Sequence, residues 1–230
     1  MKSTAPPDFY LGDVGSGSFR AGYSNEGGVC RAVGNYPGAQ ASTPSLVLLV
    51  LSRLIYEPLE EGPAKPVAFG YAEPRRHQEV VKNVKLVILA DRKAYEYAYS
   101  LLDSASKCLR LESVEQITVD FLRLLVAHVI GEGGGQPTKR WVFPVPQCYS
   151  VTDVQRYRRL IQRAGAVGPI HIYGESDSVM NASMGRIKKF TRDEQQVAFK
   201  QDRNFSVAAA VCDFGDGTMV CITNLKGQLD

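Results

Sequence analysis

Two short stretches carry residue types that can hold phosphate. Near the amino end, Asp13-Val14-Gly15-Ser16-Gly17-Ser18 follows the apolar run Phe9-Tyr10-Leu11 and leads into Phe19-Arg20-Ala21-Gly22-Tyr23. Two hundred positions later, Asp213-Phe214-Gly215-Asp216-Gly217-Thr218 lies between Val207-Ala208-Ala209-Ala210-Val211-Cys212 and Met219-Val220-Cys221-Ile222. Each reads as strand, carboxylate, glycine-rich tip, strand. Glycine gives the tip access to positive φ and lets backbone N–H groups come close to a ligand. Successive N–H groups of such a turn form a concavity for anions, to which Ser16 and Ser18 add hydroxyl donors. Asp13, at the mouth, has the chemistry to hold a hydrated Mg²⁺, which keeps most of its waters and accepts one or two carboxylates. One Asp-x-Gly turn is common in β proteins. Two of them, each behind a strand, point to a pair of phosphate clamps in a duplicated fold.

The rest of the chain must supply the frame for these turns. At 230 residues it can bury a substantial core, and 44% apolar with 22% charged residues is ordinary for a globular protein. A net charge of +3 is too small to argue for nucleic acid or a membrane surface as partner. The start of the sequence has no secretory pattern, and the apolar run Leu46 to Leu51 is too short to span a bilayer. Five cysteines, at 30, 108, 148, 212 and 221, form no C-x-x-C pair. Cys148, Cys212 and Cys221 lie in or beside apolar strands, where thiols act as small hydrophobes, so a reducing compartment is expected, the cytoplasm or the nucleus.

Along the chain, the first hairpin is followed by a third strand near Val29 to Val33, which predicts a meander. Leu46 to Leu51 reads as a strand covered on both faces. Residues 57 to 66, with Pro58, Gly62, Pro63 and Pro66 among acids, read as an exposed loop, and Val67 to Gly70 as a strand. Residues 93 to 111 read as mixed helix and surface. Ser113 to Gly131 is the clearest helix, with Ser113 and Gln116 as a capping box and Ile117, Phe121, Leu124, Leu125 and His128 at helical spacing. His128 reads as a half-buried core histidine, because no Cys or His stands three or four residues away. Gly133-Gly134-Gly135 is a link and not a Walker loop, since no Gly-Lys-Ser/Thr follows. Arg140 to Pro146 reads as a strand that Pro144 should confine to an edge or a strand end. Thr152 and Gln155 predict a second capping box. The helix behind them turns Val154, Tyr157, Leu160, Ile161 and Ala164 inward and Arg156, Arg159 and Arg163 to solvent. Pro169 to Tyr173 is a strand that turns through Gly174-Glu175-Ser176 into a further helix.

This order of elements, with an Asp-x-Gly hairpin opening each half, resembles the actin-like ATPase superfamily, and in detail a divergent seventy-kilodalton heat-shock chaperone. Asp13-Val14-Gly15-Ser16 is similar to that family's Asp-Leu-Gly-Thr-Thr, and Ser42-Thr43-Pro44-Ser45-Leu46-Val47 to its Thr-Thr-Pro-Ser-Tyr-Val. Gly70-Tyr71-Ala72 resembles its Gly-x-Ala, Lys85-Leu86-Val87-Ile88 its Lys-x-Leu-Ile, and Val142 to Tyr149 its Thr-Val-Pro-Ala-Tyr-Phe strand. Gln155-Arg156 matches its Gln-Arg, Glu175 stands at its Asn-Glu-Pro, and Asp213 to Thr218 resembles Asp-Leu-Gly-Gly-Gly-Thr. The fold implied is α/β: a ribonuclease H-like lobe with a mixed sheet and flanking helices, plus the opening hairpin of a second lobe. The resemblance divides the chain into a first lobe at 1–188 with an inserted subdomain at about 53–112, a connector at 189–205, and an incomplete second lobe at 206–230.

The resemblance implies ATP or ADP with Mg²⁺ in a cleft. Asp13 and Asp213 would hold the metal's water shell. Gly15, Ser16, Gly17, Ser18, Gly215, Gly217 and Thr218 would cradle the phosphates. Lys85 would place the attacking water and neutralise charge, Glu175 would polarise that water, and Asp213 would join them in catalysis. Phosphoryl transfer asks mainly for positioning and charge, which these residues can supply. Co-chaperones and client proteins are the partners implied. Three departures weigh against turnover. Asp216 replaces a glycine, and a carboxylate about 4 Å from phosphate costs roughly 4 kcal/mol at a dielectric near 20. Val220 replaces an expected aspartate, and Gly17 replaces a threonine. The expectation is weak or no nucleotide affinity for these 230 residues alone. The rival reading is a non-hydrolysing pseudo-ATPase serving as an interaction module, and a sugar or acetate kinase ranks behind it. An incomplete second lobe also predicts self-association, or a partner covering residues 206–226, because its strands would otherwise present open edges.

Overall fold

Strand alternation builds the frame around the first turn. A computed structural model describes residues 7–15, 17–24, 30–39, 50–88, 96–135, 140–146, 149–175, 210–214 and 219–223. In Phe9–Val14 (β1), Tyr10, Gly12 and Val14 are buried while Phe9, Leu11 and Asp13 are half-buried, the two-residue period of a strand. β1 pairs antiparallel with Ser18–Ser24 (β2), which pairs in turn with Cys30–Ala32 (β3). The meander expected from the sequence is present. Val50–Leu51 (β4) lies against the tip end of β2, with Ser18 opposite Leu51 and Phe19 opposite Val50. Leu51 is 41% exposed, so this run is not covered on both faces at its end as expected.

Trp141–Val145 (β8) runs parallel to β1, with Tyr10 opposite Trp141 and Leu11 opposite Val142. Ile170–Gly174 (β9) completes a sheet in the order β3-β2-β1-β8-β9. Pro144 therefore sits in an inner strand, contrary to the edge placement its ring predicts. The paired stretch with β1 ends two residues before it, where its missing N–H breaks no bond of that ladder. Three more strands, Arg53–Glu57 (β5), Lys65–Phe69 (β6) and Glu79–Lys82 (β7), form a separate antiparallel sheet in the order β6-β5-β7. Only Ser52 separates β4 in one sheet from β5 in the other.

Glu96–Cys108 (α1), Val114–Glu132 (α2) and Val151–Arg163 (α3) are the helices among the described residues. Helix α2 buries Ile117, Phe121, Leu122, Leu125 and Val129. Phe121 meets Phe19 of β2 edge-on at 5.3 Å and Phe69 of β6 at 6.1 Å, so one ring joins both sheets to the helix. A second aromatic row, Tyr10, Trp141, Phe143 and Tyr157, ties β1 and β8 to α3. Gly12 lies under Phe143: a Cβ there would stand 2.6 Å from the ring, so the close strand-to-ring approach requires glycine.

Both expected helix caps differ in detail. Ser113 occupies the N-cap of α2 but its side chain caps nothing: the Gln116 N–H donates to the Ser113 carbonyl at 3.0 Å, while the Gln116 amide donates to Asp120 and accepts from Arg163. At α3 the box is formed by Ser150 and Asp153, two residues before the Thr152–Gln155 pair expected. Asp153 accepts from the Ser150 N–H and suits the positive end of the helix. The expected solvated arginine face is partly used. Arg156 donates to Glu115 at 2.7 Å and Arg163 reaches the same carboxylate at 3.4 Å, clamping α3 to α2. His128 is half-buried as expected, its Nε2 2.9 Å from the Gly34 carbonyl oxygen and its ring 4.7 Å from that of Tyr36.

Two compact units divide the chain: residues 1–145 with 149–172, and residues 146–148 with 173–230. In the second, Ala210–Phe214 (β10) and Met219–Thr223 (β11) form an antiparallel hairpin. The helix expected beyond Glu175 and the connector at 189–205 lie outside the described residues.

Candidate functional site

The β1–β2 turn is built so that its geometry depends on three backbone contacts. The last strand pair is Val14 with Phe19, and Asp13 sits one step back, opposite Arg20. Four positions, 15–18, make the tip. Inside it the Gly15 N–H donates to the Ser18 carbonyl at 2.8 Å. A Cβ on Gly15 would lie 2.6 Å from that same oxygen, so the turn closes only without a side chain. On the other side Ser52 engages the tip twice: its N–H donates to the Gly17 carbonyl at 2.9 Å, and its hydroxyl donates to the Gly15 carbonyl at 2.9 Å. Asp13 is half-buried, on the face opposite Gly12 and Val14.

The second turn has the same register. Asp213 stands opposite Val220 and Phe214 opposite Met219, with four positions between the last pair. The offset from the first hairpin is two hundred at each of these four paired positions. The sequence could show two similar motifs; the strand register shows that each aspartate precedes its tip by the same step. Gly215, Gly217 and Thr218, like Ser16 and Asp216, lie outside the described residues.

Lys85 is placed by the turn that follows β7. Asn83 takes a left-handed conformation (φ 59°), which asparagine tolerates, and redirects the chain into the 3₁₀ segment Val84–Ile88. Thr118 of α2 donates its hydroxyl to the Val84 carbonyl at 2.7 Å and holds that segment down. The side chain that results is 4% exposed, with Nζ 6.0 Å from the centre of the Tyr149 ring, within reach of a cation–π contact. An ordinary surface lysine is thereby excluded. Tyr149 follows the carboxyl end of β8 and immediately precedes the Ser150 cap, which fixes where it can stand. β1 and β8 are parallel, so the hairpin tip and Tyr149 leave the same edge of the sheet. That edge, beyond the carboxyl ends of parallel strands, is where open α/β sheets receive ligands.

Asp13, Gly15, Gly17 and Ser18 are thus gathered in one turn, with Lys85 buried against Tyr149 at the same sheet edge. Glu175, half-buried and one residue past β9, and Asp213 belong to the second compact unit. The described residues contain no group of three or more His, Cys, Asp or Glu suited to a metal ion. Mg²⁺ held through its waters by one or two carboxylates needs no such group, so Asp13 fits that chemistry. Ser52 and Tyr149 went unnoticed in the sequence. For Ser52 the signal was a hydroxyl interrupting an apolar run: a buried hydroxyl needs a partner, and here the partner is the turn. No helix among the described residues is long and apolar enough to cross a membrane.

The sheet order, the parallel β1–β8 pair and the hairpin that opens β1 make a mixed α/β fold, the class expected from the sequence. Among solved structures, MreB5 of Spiroplasma citri bound to ADP is similar, with a TM-score of 0.51 and 14% identity over 96% of this chain and 48% of that one. The same protein bound to AMPPNP gives a TM-score of 0.44 at 14% identity, over 96% and 49%. The chain therefore spans about half the length of these neighbours, and at this identity the likeness is one of fold. No family model and no curated protein matches the sequence.

Proposed function

We infer that the chain binds a nucleotide, ATP or ADP, through the Asp13–Ser18 hairpin. One observation carries this reading: a carboxylate, a backbone tip closed by Gly15 and a buried lysine are collected at one edge of an actin-like sheet. Asp13 would bind water molecules of the metal, and the tip at Gly15, Ser16, Gly17 and Ser18 would face the β- and γ-phosphates. Lys85 would offset their charge from a site where little water competes. Mg²⁺, when bound, would supply positive charge to offset that of the phosphates. Asp213, Gly215, Gly217 and Thr218 would form the matching turn on the other lobe, and Glu175 would orient a water molecule. In support, the second hairpin repeats the first in register.

Binding should be weak, with a dissociation constant near 1 mM (about −4 kcal/mol), because Asp216 sets a like charge in the second turn. Isothermal titration with Mg-ATP and with Mg-AMP tests this. ATP binding near that strength and no AMP binding is expected; equal binding of both, or of neither, would refute a site for β- and γ-phosphate.

Two finer readings rest on the sequence. The ordered motif set supports a heat-shock chaperone lobe that hydrolyses ATP, with co-chaperones as partners, and a co-chaperone whose binding depends on nucleotide is its test. Asp216 and Val220 favour the alternative, an interaction module without turnover, which phosphate release at background level with ATP bound would support. The exposed free thiols Cys30 and Cys108 support a reducing compartment, cytoplasm or nucleus, checked by fractionation. Self-association through residues 206–226 is checked by sedimentation.

A further inference from the structure

Ser52 stands where the two sheets of the first unit join, and both its donors are directed at the hairpin tip. It is 2% exposed. On one side Val50–Leu51 pairs with β2; on the other Arg53–Glu57 pairs with β6 and β7. With strand ladders on both flanks, the residue between them has little freedom, so its N–H and hydroxyl come to the tip from a fixed place. They take up the Gly17 and Gly15 carbonyls, each at 2.9 Å.

The electrostatic consequence is direct. A glycine-rich tip exposes carbonyl oxygens as readily as N–H groups, and only the N–H groups attract an anion. A peptide unit is planar and trans, so holding the Gly17 carbonyl inward also sets the direction of the Ser18 N–H on the far side of that unit. We propose that Ser52 is the positioning residue of the phosphate turn: it withdraws two carbonyl oxygens from the ligand side and fixes the tip in its anion-binding form. It touches no phosphate and acts through Gly15 and Gly17. The proposal rests on the reading of this hairpin as a phosphate site, and adds the residue that makes the tip selective for an anion.

The test compares the full chain with Ser52→Ala and Ser52→Thr. Ala removes the hydroxyl and keeps the N–H, whereas Thr keeps both donors. Three readouts are taken: the circular dichroism melt, amide exchange at Gly15 by NMR, and affinity for Mg-ATP with adenosine as control. The Ala variant should keep the folded spectrum, exchange the Gly15 amide about tenfold faster, and bind Mg-ATP about tenfold more weakly, since one hydrogen bond is worth roughly that factor. Any adenosine binding should be unchanged, and Thr should restore both values. Ser52→Ala with wild-type Gly15 exchange would overturn the proposal, whatever ATP does. An effect on ATP and adenosine alike, or no recovery with Thr, would also overturn it by marking Ser52 as merely structural. Absence of ATP binding by the wild type would sink the nucleotide reading, and the exchange arm would still decide whether Ser52 sets the turn.

Discussion

Replacing Tyr56 with phenylalanine should loosen the β6-β5-β7 sheet that begins directly after Ser52. The Tyr56 hydroxyl donates to Asp120 Oδ2 at 2.9 Å, from β5 to α2, with the tyrosine 0% and the aspartate 3% exposed. Oδ1 of the same carboxylate receives Gln116 and Arg123, at 2.7 and 2.8 Å. Burial, and then the charge of Asp120, raise the Tyr56 pKa well above the ordinary tyrosine range, so the hydroxyl stays a donor at any working pH. Phenylalanine leaves no cavity, and the loss is one hydrogen bond to a buried charge, about 2 kcal/mol. For a chain of this size that corresponds to a melting point lower by roughly 4–8 °C. The assay is urea unfolding followed by circular dichroism, with the slope against urea unchanged and the midpoint lowered. Combining Tyr56→Phe with Asp120→Asn should give less than the sum of the two losses, as partners in one contact do. An unchanged midpoint, or fully additive losses, would refute the reasoning that this bond fastens the second sheet to α2.

Four other outcomes follow from the same contacts. Gly15→Ala should leave the melting point within a few degrees, since the tip carries little packing, but abolish Mg-ATP binding, because its Cβ meets the Ser18 carbonyl at 2.6 Å; a circular dichroism melt reads the first and titration calorimetry the second. Gly12→Ala should destabilise by about 1–3 kcal/mol, as its Cβ runs into the packed Phe143 ring, and denaturant titration measures it. Lys85→Met should abolish any ATP turnover, read in a phosphate-release assay, because the buried ammonium that would offset phosphate charge is gone. The Glu57 carboxyl is held below its ordinary pKa, first by the Gln78 amide and then by His77. Its stabilising effect is complete above the unfolded glutamate range and lost as pH falls through the lowered value. Glu57→Gln should therefore reduce the difference in urea midpoint between about pH 6 and pH 3.

Much of the first compact unit could be read from residue order because its signals are local. β1 shows strict alternation, α2 a long 3.6-residue period, and the Gly-Ser tip its turn chemistry. What escaped were features decided by tertiary partners. The strand Glu79–Lys82 has two charged ends and two valines, too weak a pattern to stand out, and exists because β5 pairs with it. Ser113 and Gln116 have the spacing of a capping box, but Asp120 and Arg163 compete for the glutamine and win it. For Lys85 the resemblance implied a role, but its burial depends on Thr118, which holds its turn against α2. At the candidate site the carboxylate and the glycines were legible. Ser52 showed only as a hydroxyl interrupting an apolar run, and its importance comes from two strands meeting around it.

The central claim is that the turn after Asp13 receives the phosphates of a nucleotide. Titrating the isotope-labelled chain with Mg-ATP and following backbone amides by NMR tests it most directly. The account predicts shifts concentrated at residues 13–18 and 213–218, with Mg-AMP leaving them unmoved. Shifts scattered over other surfaces, or none at millimolar Mg-ATP, would contradict it.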